Sequence, residues 1–99
     1  MIQINGTIRL QGGSADEAKD AIVTMVLASR QEDGCIDYTF AQDLADPAVL
    51  VLFERWRDQD ALQAHMQSAH MADFQKAMEA NPPAMRQLRM YETDEGQPI

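Results

Sequence analysis

Ile2, Ile4, Ile8 and Leu10 alternate with Gln3, Asn5, Thr7 and Arg9, a period of two that predicts a strand with one apolar face. Gln11-Gly12-Gly13 interrupts the pattern. Ser14 and Glu17 then have the spacing of a capping box, which satisfies the free amides at the start of a helix. Along that helix Ala18, Ile22, Met25, Val26 and Ser29 recur as a core-facing stripe. Gly34 is the expected stop, and Glu32 and Asp33 before it oppose the helix dipole, so a frayed end is expected. Ile36, Tyr38 and Phe40 alternate with Cys35, Asp37, Thr39 and Ala41 to predict a second strand. Asp43 to Pro47 reads as the turn of a hairpin. The third strand is almost continuously apolar, with Val49, Val51 and Phe53 facing one way and Leu50 and Leu52 the other. Such a strand is expected to be covered on both faces. Leu62 and Met66 begin a further helical stretch, Ser68 is the expected restart, and Met71, Phe74 and Met78 form a second stripe. Asn81-Pro82-Pro83 ends it, because proline removes a backbone donor and clashes with the preceding turn. Met85 to Tyr91 predicts a fourth strand, in a domain spanning 1–93 followed by a polar tail over 94–99.

The order strand, helix, strand, strand, helix, strand predicts an α+β fold of ferredoxin-like βαββαβ type, which needs only short connections. Two helical layers of this size cover one face of a four-stranded sheet. The third strand asks for a cover on the other face too, so a second subunit packed sheet on sheet is expected, as a homodimer.

Charge narrows the partners. With 8 basic against 16 acidic residues the net charge is −8. The scattered cations do not make a phosphate-binding stripe, which argues against nucleic acid. No stretch has the apolar length of a membrane span, and the start lacks the basic and apolar run of a secretory signal. Cys35 is the single cysteine, which rules out an internal disulfide and suits a reducing compartment. No basic residue flanks it, so a reactive thiolate is unsupported. A cytoplasmic protein without a membrane partner is expected.

Candidate chemistry concentrates in one stretch, since both histidines and the single tryptophan lie between Trp56 and His70. Glu54 and Trp56 share a strand face, as alternate residues do. His65 and His70 are five apart, roughly 140° around a continuous helix, so they converge only if the helix breaks near Ser68. A set of Glu54, His65 and His70 has the composition of a non-haem iron site, but this spacing argues against it, and no metal is expected. As a proton acceptor, His65 is better placed. An imidazole titrates near neutrality, and a carboxylate such as Glu54 can fix its tautomer. Spacing alone equally suits a plain solvated pair, and Trp56 suits core packing. Asn5 and Tyr38 are polar groups on strands of this same sheet, and either line a wet cavity or lie at an exposed end.

Glu32-Asp33-Gly34-Cys35-Ile36-Asp37-Tyr38, then Phe53-Glu54-Arg55-Trp56, then Leu62 with His65 and His70, resemble the antibiotic biosynthesis monooxygenase domain family. The similarity runs from Ile2 to Tyr91. It implies a dimeric α+β barrel with a pocket between sheet and helices in each subunit. It also implies a cofactor-free monooxygenase that oxidises a small aromatic or quinol-like substrate with O2. On that resemblance His65 is the base, Glu54 orients it, Trp56 completes the catalytic group, Asn5 and Tyr38 line the cavity, and His70 adds a polar contact. Haem-degrading relatives use an Asn, a Trp and a helical His, to which Asn5, Trp56 and His65 or His70 can be fitted. An isomerase of a phosphorylated autoinducer shares the pattern of Glu54, His65 and His70, with Arg55, Arg57, Arg86 and Arg89 as the candidates to hold a phosphate. A non-catalytic ligand-binding module of the stress-response kind is the remaining alternative.

Overall fold

The computed structural model describes residues 1–11 and 14–99, with side chains of the first helix described from Ala18 onward. The chain forms β1 (Ile2–Arg9), α1 (Ser14–Arg30), β2 (Cys35–Gln42), β3 (Val49–Trp56), α2 (Gln59–Met66), α3 (Ala69–Ala80) and β4 (Met85–Glu92). The strands make one antiparallel sheet in the order β2-β3-β1-β4. This is the ferredoxin-like α+β arrangement expected from the order of elements. The capping box expected at Ser14 and Glu17 lies outside the described side chains.

Register decides which residues share a face. Ile2, Ile4, Gly6 and Ile8 pair with Trp56, Glu54, Leu52 and Leu50 of β3, and Tyr38 and Phe40 pair with Glu54 and Leu52 from the other side. Alternation puts all of these on the face the helices cover. The stripe of α1 closes on it: Ala18, Ile22, Met25, Val26 and Ser29 are all buried. Gly6 has a positive φ of 153°, and a Cβ there would overlap the carbonyl of Gln87 on the neighbouring β4, so the close approach of these strands requires glycine.

Three expectations are corrected. The first helix ends at Arg30, before Glu32 and Asp33, so neither acid frays it; both lie in the turn that Gly34 completes at φ 83°. An irregularity between Cys35 and Asp37 shifts the start of β2, and Ile36, expected beside Tyr38, is 47% exposed. On α2 the buried stripe is Ala61, Leu62 and His65, while Met66 is 48% exposed.

The opposite face carries Gln3, Asn5 and Thr7 of β1, paired with Arg55, Phe53 and Val51 of β3. Among the described residues no helix covers it, and Val51 is 39% exposed. The guanidinium of Arg55 lies 5.2 Å from the centre of the Phe53 ring and donates to Gln3, which in turn donates to Asn5. The second cover expected for β3 is therefore not supplied within one subunit. Among the described residues no helix is long and apolar enough to cross a membrane.

Candidate active site

Between α2 and α3 the helix does break. α2 stops at Met66, and Ser68 caps α3 by accepting from the amide of Met71 while its hydroxyl donates to the carbonyl of His65. Asp58 starts α2 in the same way, accepting from Ala61. With both ends of this short helix pinned, His65 projects into the core, where it is 1% exposed.

The imidazole of His65 is packed among rings, 4.5 Å between centres from Trp56 and 5.4 Å from Tyr38. Its Nδ1 lies 2.6 Å from Oε2 of Glu32. A carboxylate accepts, so Nδ1 carries the hydrogen and Nε2 keeps the basic lone pair. Burial pushes the His65 pKa below its ordinary value, the Glu32 hydrogen bond and charge act upward, and His70 acts downward. The residue is thus held as neutral imidazole at neutral pH.

Glu54 has a different partner from the one expected. Its Oε1 accepts a 2.7 Å hydrogen bond from the indole Nε1 of Trp56, two residues along the same strand face. Burial raises its pKa to about 6, against the downward pull of that bond and with the nearby Glu32 adding to the rise. Tyr38 is also pushed up, first by burial and then by the charge of Glu54. Cys35 rises to about 11, chiefly by burial and the charge of Glu32. It is no thiolate at neutral pH.

These groups end a cavity of about 280 Å3 between the sheet and the α2–α3 layer. Tyr38, Glu54 and His65 line it together with Ile4, Phe40, Leu52, Met66, Met71, Phe74 and Leu88, and Arg86 and Arg89 of β4 contribute to its wall. The lining is mostly apolar; of its titratable groups Tyr38, Glu54 and His65 are buried, whereas Arg86 and Arg89 are exposed. A mostly apolar cavity of this size with a few polar groups has the character of a small-molecule site.

The structure brings together Tyr38, Glu54, Trp56 and His65 of the six residues singled out in the sequence. Asn5 is on the opposite sheet face, bordering a separate cleft with Thr7, Gln87 and Tyr91. Asn5, expected in the cavity and in the haem-type triad, does not line this cavity, because one step along a strand exchanges the faces. His70 is not in the cavity wall either. It faces the groove between α1 and α3, in a cleft with Asp20, Thr24 and Asp73. Of the four arginines considered for a phosphate, Arg57 pairs with Asp33 and Asp58, and Arg55 lies on the opposite face; they do not converge. The residue missed is Glu32. Its sequence signal was an acid just past a helix C-terminus, where the helix dipole disfavours it.

Comparison with known proteins bears on the family and the fold. An uncharacterised Synechocystis protein, sll1783, is 28% identical over 99% of this chain and 67% of its own length. YcnE of Bacillus subtilis, named as a candidate monooxygenase, is 26% identical over 75% of this chain and 78% of its own. A crystal structure from Deinococcus radiodurans, described as a candidate antibiotic biosynthesis monooxygenase, superposes with a TM-score of 0.89 at 25% identity, covering 100% of this chain and 98% of that one. The sequence profile described as antibiotic biosynthesis monooxygenase matches residues 1–77, from β1 through the buried His65 and most of α3. By that match, on the fold that carries the cavity, the chain belongs to the antibiotic biosynthesis monooxygenase family.

Proposed function

We propose that the protein is a monooxygenase that oxidises a small aromatic or quinol-like substrate with O2 and needs no flavin, haem or metal for the oxygenation. The observation that carries this reading is the apolar cavity ending on a buried, neutral His65 whose Nδ1 is held by Glu32. Nε2 of His65 accepts the proton of an acidic ring O–H or C–H of the substrate. The resulting anion is electron-rich and passes an electron to O2, and the carbon and oxygen radicals combine into a peroxide. That peroxide takes a proton back and loses water, leaving a carbonyl where a CH2 stood. One oxygen atom ends in the product and the other in water, so atoms and electrons balance without an external reductant.

Glu32 stabilises the imidazolium formed in the first step, the role assigned to Glu54 on sequence grounds. Glu54, with its pKa near neutrality, is the second proton-handling group of the cavity, and Trp56 fixes its orientation. Tyr38 walls the substrate plane. Asn5 and His70 have no part in this mechanism. The uncovered face around Val51 and Phe53 supports a homodimer packed sheet on sheet.

Oxygen consumption with a panel of quinols and anthrone-like phenols tests the reading. Uptake that disappears in His65→Ala supports it, and no uptake by the wild type, or equal uptake by the variant, removes it. Arg86 and Arg89 in the cavity wall favour one second reading, isomerisation of a phosphorylated dione, which would proceed with oxygen excluded.

A further inference from the structure

We infer that Glu32, His65 and His70 form a binding site for a divalent transition-metal ion of the zinc class, which shares only His65 with the substrate cavity. One atom from each of the three lies within 4.8 Å of the others. Oε2 of Glu32 is the hinge of the set, 2.6 Å from Nδ1 of His65 and 3.3 Å from Nε2 of His70. Two donors on one tetrahedral zinc ion stand about 3.4 Å apart, given bonds of about 2.1 Å. The His70 pair is already at that separation, and the His65 pair needs to open by less than an ångström. Glu32 can supply that movement, because it sits in the turn after α1 and its side chain is 18% exposed.

A second observation points to a missing ligand. Nε2 of His70 is shielded from solvent and makes no hydrogen bond. It lies 3.3 Å from Oε2 of Glu32 without forming a hydrogen bond to it. A buried imidazole nitrogen in that condition is uncommon and calls for a partner, which an ion or a water bound to one supplies. A donor set of two imidazoles and one carboxylate is also what zinc-class ions take, with coordination positions left for water or a small ligand.

The site has an entry. His70 borders a cleft of about 240 Å3 between α1 and α3, whose other polar residues are Asp20, Thr24 and Asp73. Two carboxylates at the mouth, in a chain of net charge −8, raise the local concentration of a cation and not of an anion. The substrate cavity has a different lining and shares only Phe74 with this cleft.

One consequence rests on the proposed function, although the site does not. A neutral imidazole that binds metal through Nδ1 carries its hydrogen on Nε2. It then has no lone pair to accept a substrate proton. Metal occupancy and proton acceptance at His65 exclude one another, so the ion acts as an inhibitor and not as the oxygenation cofactor.

Titration of Zn(II) into the chelator-treated protein, followed by calorimetry, tests the site without reference to activity. Saturable binding of one ion per chain is expected, weakened by about tenfold or more in His70→Ala and again in Glu32→Gln. Both side chains are partly exposed, and circular dichroism of each variant checks that it is folded. Co(II) provides a second readout, since coordination by these donors gives visible absorption bands that His70→Ala should lose. No saturable binding by the wild type overturns the proposal. Binding that both folded variants retain overturns it equally.

Discussion

Nδ1 of His65 and Oε2 of Glu32 are 2.6 Å apart although 33 residues separate them in the chain. The turn after α1 and the buried face of α2 are joined there, and the contact sets the tautomer of the one imidazole that reaches the cavity. Glu32→Gln keeps an acceptor and removes the charge. Substrate-dependent oxygen uptake is expected to fall about 10–100-fold in kcat, with KM changed little. His65→Ala removes the acceptor itself and should cost about 100-fold or more. An unaltered kcat in Glu32→Gln would show that the hydrogen bond between Glu32 and His65 is structural only.

Trp56 and Glu54 form a buried pair on β3. In Trp56→Phe the carboxylate loses its donor, and the smaller ring leaves a void in the aromatic cluster. Urea unfolding should show a loss of about 2–4 kcal/mol. The double variant with Glu54→Gln should lose less than the sum of the two single changes, because the penalty of an unpaired charge is then absent. Strict additivity would indicate that the two side chains do not interact.

The carboxyl of Glu54 titrates at about 6 in the folded chain, against an ordinary value of 4.5. A raised pKa means that the folded protein retains a proton that the unfolded chain has released. Stability from this group is present in full below 4.5 and is lost as pH rises through about 6. The difference is on the order of 2 kcal/mol. Thermal unfolding of wild type and Glu54→Gln across that range isolates it: the wild type should lose ground to the variant as pH rises. Parallel curves would mean that Glu54 is solvated.

Val51 and Phe53 lie on the sheet face that the helices leave open. A charge at the centre of a sheet-on-sheet interface costs its desolvation and finds no partner there. Val51→Glu is expected to convert a dimer into a monomer in sedimentation velocity. A wild type that sediments as a monomer at micromolar concentration would remove the dimer.

Much of the fold was legible in the residues. The alternation in β1 and the stripe of α1 each describe one apolar face, and one face admits one placement against a core. The break at Ser68 was legible as a possibility, because a serine can cap a helix; whether it did so decided the fate of the histidines. Ile36 was misplaced because an irregularity in β2 depends on how its partner β3 is registered, and no local pattern encodes that. The family resemblance puts Asn5 in the cavity, and strand register is not visible in the sequence; its neighbours Ile4 and Gly6 hold the positions opposite Glu54 and Leu52.

Elements, their order and the family were set by the sequence itself, since periodicity and short motifs act over a few residues. The partners of the buried charges were not. Glu54 turned to Trp56, and Glu32, remote in sequence, came to His65 and His70. Those pairings depend on the distance between the end of α1 and the α2–α3 break once both pack on the sheet. Only tertiary structure brings those segments within hydrogen-bond range, and a buried polar group takes the partner that is then within reach.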